Sequence, residues 1–362
     1  MLNFKAGALR PARDGACPNH IEAANDLVRQ TLSRHGLWSE ADGNAAPMAE
    51  LMKGLNLPPA WQDQPRPSAP PIILPEGAAF RAETYSGPTG SRAYRHYVPA
   101  SASDGVEGIV LMLHGCTQTP EDFAIGTKMN ALAEAYRLVV IYPEQARGAN
   151  AQTCWNWFSK GDQRRDRGEP AILAGITRAA MAEHGVASPR VFVAGLSAGA
   201  AMAVILGETY PDIFAAIGAH SGLPFGAASD VPSAFAAMAG DIQGAAEAPP
   251  APGARRLIVF HGAADRTVHP SNGVEIVRRA GFSLGAQAIQ TTEMGTQHGR
   301  SFSRILTSDA DGKVLSEHWA IDGLGHAWSG GNGAGSYADP VGPDASAEMI
   351  RFFLDLPEGG VQ

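Results

Sequence analysis

One serine, one aspartate and one histidine are placed in this sequence where they could share a nucleophilic reaction. Ser197 lies in Gly195-Leu-Ser197-Ala-Gly199, preceded by the apolar, β-favouring run Val191-Phe-Val-Ala and followed by a small-residue helical pattern. Strand, sharp turn and helix are the setting of a nucleophile elbow. Glycines flank the serine because side chains two positions either way would collide with the neighbouring strand and helix. The turn lifts the hydroxyl to a helix N-terminus, whose free N–H groups and dipole favour developing negative charge. A serine hydroxyl is a weak nucleophile and needs an oriented base. In chain order the acid and then the histidine should follow. Asp265 comes after the apolar run that ends Phe260-His261-Gly262, and His326 lies in the glycine-flanked loop Gly323-Leu-Gly325-His326-Ala-Trp328. Asp265 would fix the imidazole's tautomer, and His326 would carry the serine proton to the leaving alkoxide. The backbone donors for an oxyanion should be the N–H of Ala198, next after the serine, and the N–H of Cys116 in His114-Gly115-Cys116-Thr117-Gln118.

Competing residues have plainer readings. Asp322 lies near His326 but reads as a turn residue at a strand end. His261 reads as packing at a strand tip, and His269 precedes Pro270 at a helix start. His220 and His318 read as structural, His96 as a solvated or hydrogen-bonded strand residue, and His114 as a brace for the oxyanion loop. Asp309-Ala-Asp311-Gly312 reads as a hairpin turn rather than a calcium loop.

The elements that must position these residues alternate. Phe80–Tyr85 and Arg92–Pro99 read as an antiparallel pair across Gly87-Pro-Thr-Gly90. Buried strands follow at Ile109–Leu113, Leu138–Ile141, Val191–Ala194, Ala215–Ala219, Leu257–Phe260 and Ser316–Ile321, with helices near 121–136, 169–184, 198–209, 271–280 and 345–355. Near-continuous apolar strands alternating with helices imply an α/β fold with a mostly parallel sheet covered on both faces. The antiparallel opening fits an α/β-hydrolase sheet. Residues 1–75 read as a helical N-terminal extension ending in a proline-rich linker, and 76–362 as the catalytic domain. Within it, 223–252 reads as an insertion, either a cap or lid or an ordinary surface excursion.

The 362 residues carry a formal net charge of −8, with 44% hydrophobic and 18% charged residues. That balance argues against a nucleic-acid surface or a polybasic membrane patch, and no stretch approaches the ~20 apolar residues of a membrane helix. Cys17, Cys116 and Cys154 have no metal-ligand spacing, so no metal is expected, and a serine acyl-enzyme cycle needs no cofactor. The stretch Met1–Arg10 lacks the apolar core of a secretory signal, which leads to a cytoplasmic expectation.

Taken together, His114-Gly-Cys116-Thr-Gln118, Cys154-Trp155-Asn-Trp157-Phe158, the serine motif, His261-Gly262-Ala-Ala-Asp265-Arg-Thr-Val268, Gly325-His326-Ala-Trp328-Ser-Gly-Gly331 and Asp339-Pro-Val-Gly-Pro-Asp344 resemble the poly(3-hydroxybutyrate) depolymerase family of esterases, in register from about Tyr94 to Phe353. The resemblance implies a serine carboxylic-ester hydrolase acting on hydroxybutyrate oligomers, polyester or related short esters. Its alternatives are a feruloyl or acetylxylan esterase, then a serine peptidase or a catalytically silent binding protein. It implies Ser197, Asp265 and His326 as the triad, Cys116 and Ala198 as the oxyanion donors, and a Cys116–Cys154 disulfide. Such a bond would close a 38-residue separation and contribute roughly 4 kcal/mol in the chain-entropy model. It would also suit an oxidising compartment, against the cytoplasmic expectation. The resemblance further implies that Trp155 lines the substrate cleft. Trp328 adjoins the histidine motif and is expected there too, while Trp157 is as well suited to the core.

Overall fold

Six parallel strands form the spine of the computed structural model, which describes residues 71–242, 256–282 and 288–355. A hairpin opens it: β1 (Ala79–Gly87) pairs antiparallel with β2 (Gly90–Val98), with Arg81 opposite His96 and Glu83 opposite Tyr94. Strands β3 (Gly108–Leu113), β4 (Leu138–Pro143), β5 (Val191–Leu196), β6 (Ala216–His220), β7 (Arg256–Gly262) and β10 (Val314–Ile321) run parallel. Between β7 and β10 the chain makes a second hairpin, β8 (Ile289–Gln297) and β9 (Arg300–Ser308). The ten-stranded order is β1-β2-β4-β3-β5-β6-β7-β10-β9-β8, antiparallel only at its two ends. Two short strands, β11 (Trp328–Ser329) and β12 (Ala338–Asp339), pair separately.

Seven α-helices appear among the described residues: α1 (Pro120–Thr127), α2 (Met129–Tyr136), α3 (Gly168–His184), α4 (Ala198–Thr209), α5 (Val231–Met238), α6 (Ser271–Phe282) and α7 (Ala345–Phe353). The alternating side chains of the central strands feed two cores, one on each sheet face. Ile109, Leu111 and Leu113 pack with α3 and α4, whereas Val110 and Met112 pack with α2 and α7. Both faces are apolar because both are covered, which is why these strands read as unbroken hydrophobic runs.

The expected helical extension over 1–75 lies outside the described residues except for 71–75, which have no regular secondary structure. In the 223–252 segment, residues 223–242 carry α5 and bury Leu223, Phe225, Ala234 and Ala237 in the core, while 243–252 lie outside the described residues. The expected helix over 121–136 is two helices, because Lys128 adopts a left-handed conformation (φ 56°) between them.

Candidate active site

The turn between β5 and α4 holds Ser197 at φ 57°, ψ −121°, a region that a non-glycine residue occupies only when its surroundings force it. Two constraints do so here. The Ser197 N–H donates to the carbonyl of His220 at the end of β6 (2.9 Å). On the other side the first turn of α4 comes against the end of β3, and a methyl on Gly199 would sit 2.1 Å from the Leu113 carbonyl oxygen. A glycine there is a condition of the elbow's existence. Ser197 is 7% exposed, so its hydroxyl sits in a nearly closed setting.

Asp265 follows β7 in a tight turn. Its Oδ1 accepts hydrogen bonds from the Thr267 and Val268 N–H groups (2.9 Å each). Its Oδ2 accepts from His326 Nδ1 (2.7 Å). An ionised carboxylate only accepts, so the imidazole proton resides on Nδ1 and Nε2 is left with its lone pair. Burial by itself would raise the Asp265 pKa. The His326 hydrogen bond and charge, with the Val268 N–H, outweigh burial and hold it at about 2. Close contact between the two loops depends on Gly262, where a methyl would sit 2.3 Å from the Leu324 carbonyl oxygen. Behind the aspartate, buried His261 donates from Nε2 to the Val268 carbonyl (2.8 Å) and lies 3.6 Å from Asp265 Oδ2. His261 therefore steadies the acid's turn as well as packing the strand tip.

The structure thus joins Asp265 to His326. Among the described residues no hydrogen bond links Ser197 to His326; a serine–histidine contact of this kind is often long until substrate is bound. His220 relates the two halves. It gives its carbonyl to Ser197, accepts from the Ser329 N–H at Nε2 (3.1 Å) and faces Ser221 Oγ with Nδ1 (3.2 Å). Burial, then the neighbouring His261 and His326, push its pKa down to about 3 and keep it neutral.

The oxyanion-loop residues lie against the elbow, with Gly115 packed on Leu196 and Ser197. The Gly115 N–H donates to Gln118 Oε1 (2.8 Å), the Thr117 N–H to the Gln152 carbonyl (2.7 Å), and the Gln118 N–H back to Gly115 (3.2 Å). Among the described residues that leaves the Cys116 N–H uncommitted. The Ala198 N–H, first in its helix, likewise has no intrahelical partner. His114 accepts from the Gln145 N–H at Nε2 (3.1 Å) and donates from Nδ1 to the Gly115 carbonyl (2.8 Å). Burial pushes its pKa down to about 4, so it braces the loop as a neutral ring. A Cys116–Cys154 disulfide ties the same loop to the Trp155 segment.

Two expectations are corrected. Trp155 is fully buried; its indole N–H donates to the His114 carbonyl (3.1 Å) and its ring packs on the His114 imidazole. Trp328 is 1% exposed, donates to Ser346 Oγ (3.1 Å) and stacks on His220. Neither indole offers a face to substrate. Both hold the backbone around the site, because a polar N–H on a buried ring must find an acceptor and finds one in the adjoining loop. Trp157 is also core. The aromatic ring that does stand beside the site is Tyr337, half-buried, with its hydroxyl 3.4 Å from Thr117 Oγ1 and its ring edge-on to His326. No spacing in the sequence pointed to it.

A central parallel sheet with a strained serine elbow after β5, an acid after β7 and a histidine after β10 is the architecture of an α/β hydrolase. A family model described as "Esterase PHB depolymerase" matches residues 92–282. Poly(3-hydroxyalkanoate) depolymerase C of Paucimonas lemoignei is 32% identical over 311 residues, covering 80% of this chain and 70% of that protein. A probable acetylxylan esterase A of Aspergillus flavus is 30% identical over 243 residues, 62% of this chain and 78% of that one. Among solved structures, an acetyl xylan esterase from Aspergillus awamori superimposes with TM-score 0.55 at 25% identity, covering 68% of this chain and 94% of that chain. The chain belongs to the PHB depolymerase family of esterases, a serine hydrolase family, and is a carboxylic ester hydrolase.

Proposed function

We propose that this protein hydrolyses esters of short hydroxyalkanoic acids, hydroxybutyrate oligomers foremost, through Ser197, His326 and Asp265. The observation that carries the catalytic assignment is the Asp265–His326 hydrogen bond, formed beside a serine held in a strained turn. His326 Nε2 takes the serine proton as Oγ attacks the ester carbonyl. The N–H groups of Cys116 and Ala198 receive the oxyanion of the tetrahedral intermediate. The same imidazole then protonates the leaving alkoxide, and a water activated by Nε2 releases the acid from the acyl-enzyme. The cycle uses side chains, backbone and water alone.

The hydroxyalkanoate reading is supported by the extent of the match to the Paucimonas lemoignei depolymerase. A second reading, acetylxylan esterase, is supported by the sequence and structural likeness to the two Aspergillus esterases. A hydrolysis panel of hydroxybutyrate oligomers, p-nitrophenyl esters, methyl ferulate and acetylated xylan, with Ser197→Ala as control, separates them. Faster turnover of the oligomers is expected, and faster turnover of acetylated xylan would replace the first reading with the second. Fluorophosphonate labelling of the full chain, absent from Ser197→Ala, tests the nucleophile; equal labelling of both would sink that assignment.

A further inference from the structure

Two histidines meet tip to tip three strand positions from the serine strand, where the esterase chemistry has no use for them. His96, on β2, is 1% exposed, and its Nε2 lies 2.9 Å from Nε2 of His184, the last residue of α3. The Glu183 carboxylate stands beside them, with Oε1 3.8 Å from His184 Nε2. Among the described residues this is the one group of three His, Cys, Asp or Glu side chains whose ligand atoms converge within 4.8 Å. We propose that His96, His184 and Glu183 form a binding site for a divalent transition-metal ion that pins the β1–β2 hairpin to the C-terminal end of α3.

Three features of the surroundings favour an ion. The first is charge. Arg81 (Nη2 to Glu183 Oε1, 2.7 Å; Nε to Glu83 Oε1, 3.0 Å) contributes one positive charge against two carboxylates, leaving one net negative charge when the imidazoles are neutral.

The second is orientation from behind. Glu83 Oε1 lies 3.2 Å from His96 Nδ1, and Glu83 Oε2 accepts a hydrogen bond from the Tyr94 hydroxyl (2.6 Å). A carboxylate on the far nitrogen of an imidazole is the usual support of a metal-bound histidine. Without an ion, the two Nε2 atoms share one hydrogen bond, while His96 Nδ1 faces both Arg81 Nη2 (3.1 Å) and Glu83 Oε1. With an ion on Nε2, the His96 ring proton would reside on Nδ1 and be donated to Glu83.

The third is geometry. Two nitrogens 2.9 Å apart, each about 2.05 Å from a shared ion, subtend about 90° at it. That suits the cis positions of tetragonal or octahedral nickel and copper sites. A tetrahedral zinc would need the nitrogens about 0.4 Å further apart, within reach of a small rotation of His184, whose side chain is 12% exposed.

The test is calorimetric titration of NiCl2 and ZnCl2 into untagged, EDTA-stripped and dialysed full chain, with thermal unfolding followed in parallel. One equivalent of at least one ion should bind and raise the unfolding temperature. His184→Ala should lose both effects while keeping its ester hydrolysis, and Glu83→Gln should weaken binding about tenfold. Should His184→Ala not fold, Glu183→Gln, on an exposed side chain, provides the same comparison. Absence of binding of either ion to the full chain would overturn the site, as would equal binding by the full chain and the ligand variant.

Discussion

His326 Nδ1 donates to Asp265 Oδ2 across 2.7 Å, a side-chain bond between the loop after β7 and the loop after β10, which the Ala264 N–H also joins by donating to the Leu324 carbonyl (3.0 Å). With Nδ1 committed, the imidazole has one tautomer and one free nitrogen. Asp265→Asn keeps the shape but can donate through its amide, favouring the wrong tautomer. Turnover of a p-nitrophenyl ester by that variant should fall by about 10⁴, with KM nearly unchanged. A loss under tenfold would remove Asp265 from the triad.

The same carboxylate sets a pH dependence of stability. Its folded pKa, about 2, is below its ordinary value. Ionised Asp265 therefore stabilises the fold above about pH 4, and that contribution disappears as pH falls through the folded value. Urea midpoints measured from pH 6 to pH 3 should fall less steeply for Asp265→Asn than for the parent; parallel slopes would contradict this.

Trp155 separates a structural from a substrate role. Because it is buried with its N–H on the His114 carbonyl, Trp155→Ala should cost about 3–5 kcal/mol of stability, read by chemical denaturation. Trp155→Phe should cost less and lower kcat on every ester alike. A variant of parent-like stability with a changed preference among acyl chains would restore the cleft-lining role.

For Tyr337 the expectation is the reverse. Half-buried beside His326 and Thr117, it should tolerate Tyr337→Ala with little loss of stability, and KM should change with acyl chain length. Uniform KM ratios across a chain-length series would exclude it from substrate contact.

The disulfide binds an oxyanion-loop residue to the Trp155 segment across 38 positions. Cys154→Ser should cost roughly 4 kcal/mol in the chain-entropy model and should lower kcat by freeing the Cys116 N–H. Unchanged kcat in a folded Cys154→Ser protein would show that the loop holds its shape without the bond.

Much of this architecture was legible because buried parallel strands write themselves as apolar runs. Asp265 and His326 could be placed as the loops that must follow two such runs. Strand β8 was not legible: along Ile289–Gln297 nearly every residue faces solvent and Gly295 interrupts the pattern, so no alternation marks the strand. Lys128 gave no sign of breaking a helix, since lysine has no preference of its own for the left-handed turn it adopts there. Trp155 and Trp328 were correctly drawn towards the site, yet aromatic character does not say which side of a loop a ring occupies. The expectation put them in front of the backbone, and the fold puts them behind it. Tyr337 was invisible because a fold, not a motif, carries it from β12's approach to the oxyanion loop.

Gln118 gives the site an order of assembly. Its carbonyl oxygen holds the Gly115 N–H, while its amide donates to the carbonyl of Ser336 (2.9 Å), 218 residues further on. On a ribosome, Cys116 and Cys154 emerge well before Ser336 and can pair before it is made. The oxyanion loop must then wait for the segment around Ser336 to supply its second anchor. His326, which completes the acid–base pair, arrives only ten residues before Ser336. Until the segment that carries His326 and Ser336 has been made and packed, the chain has neither the triad's base nor a finished oxyanion loop.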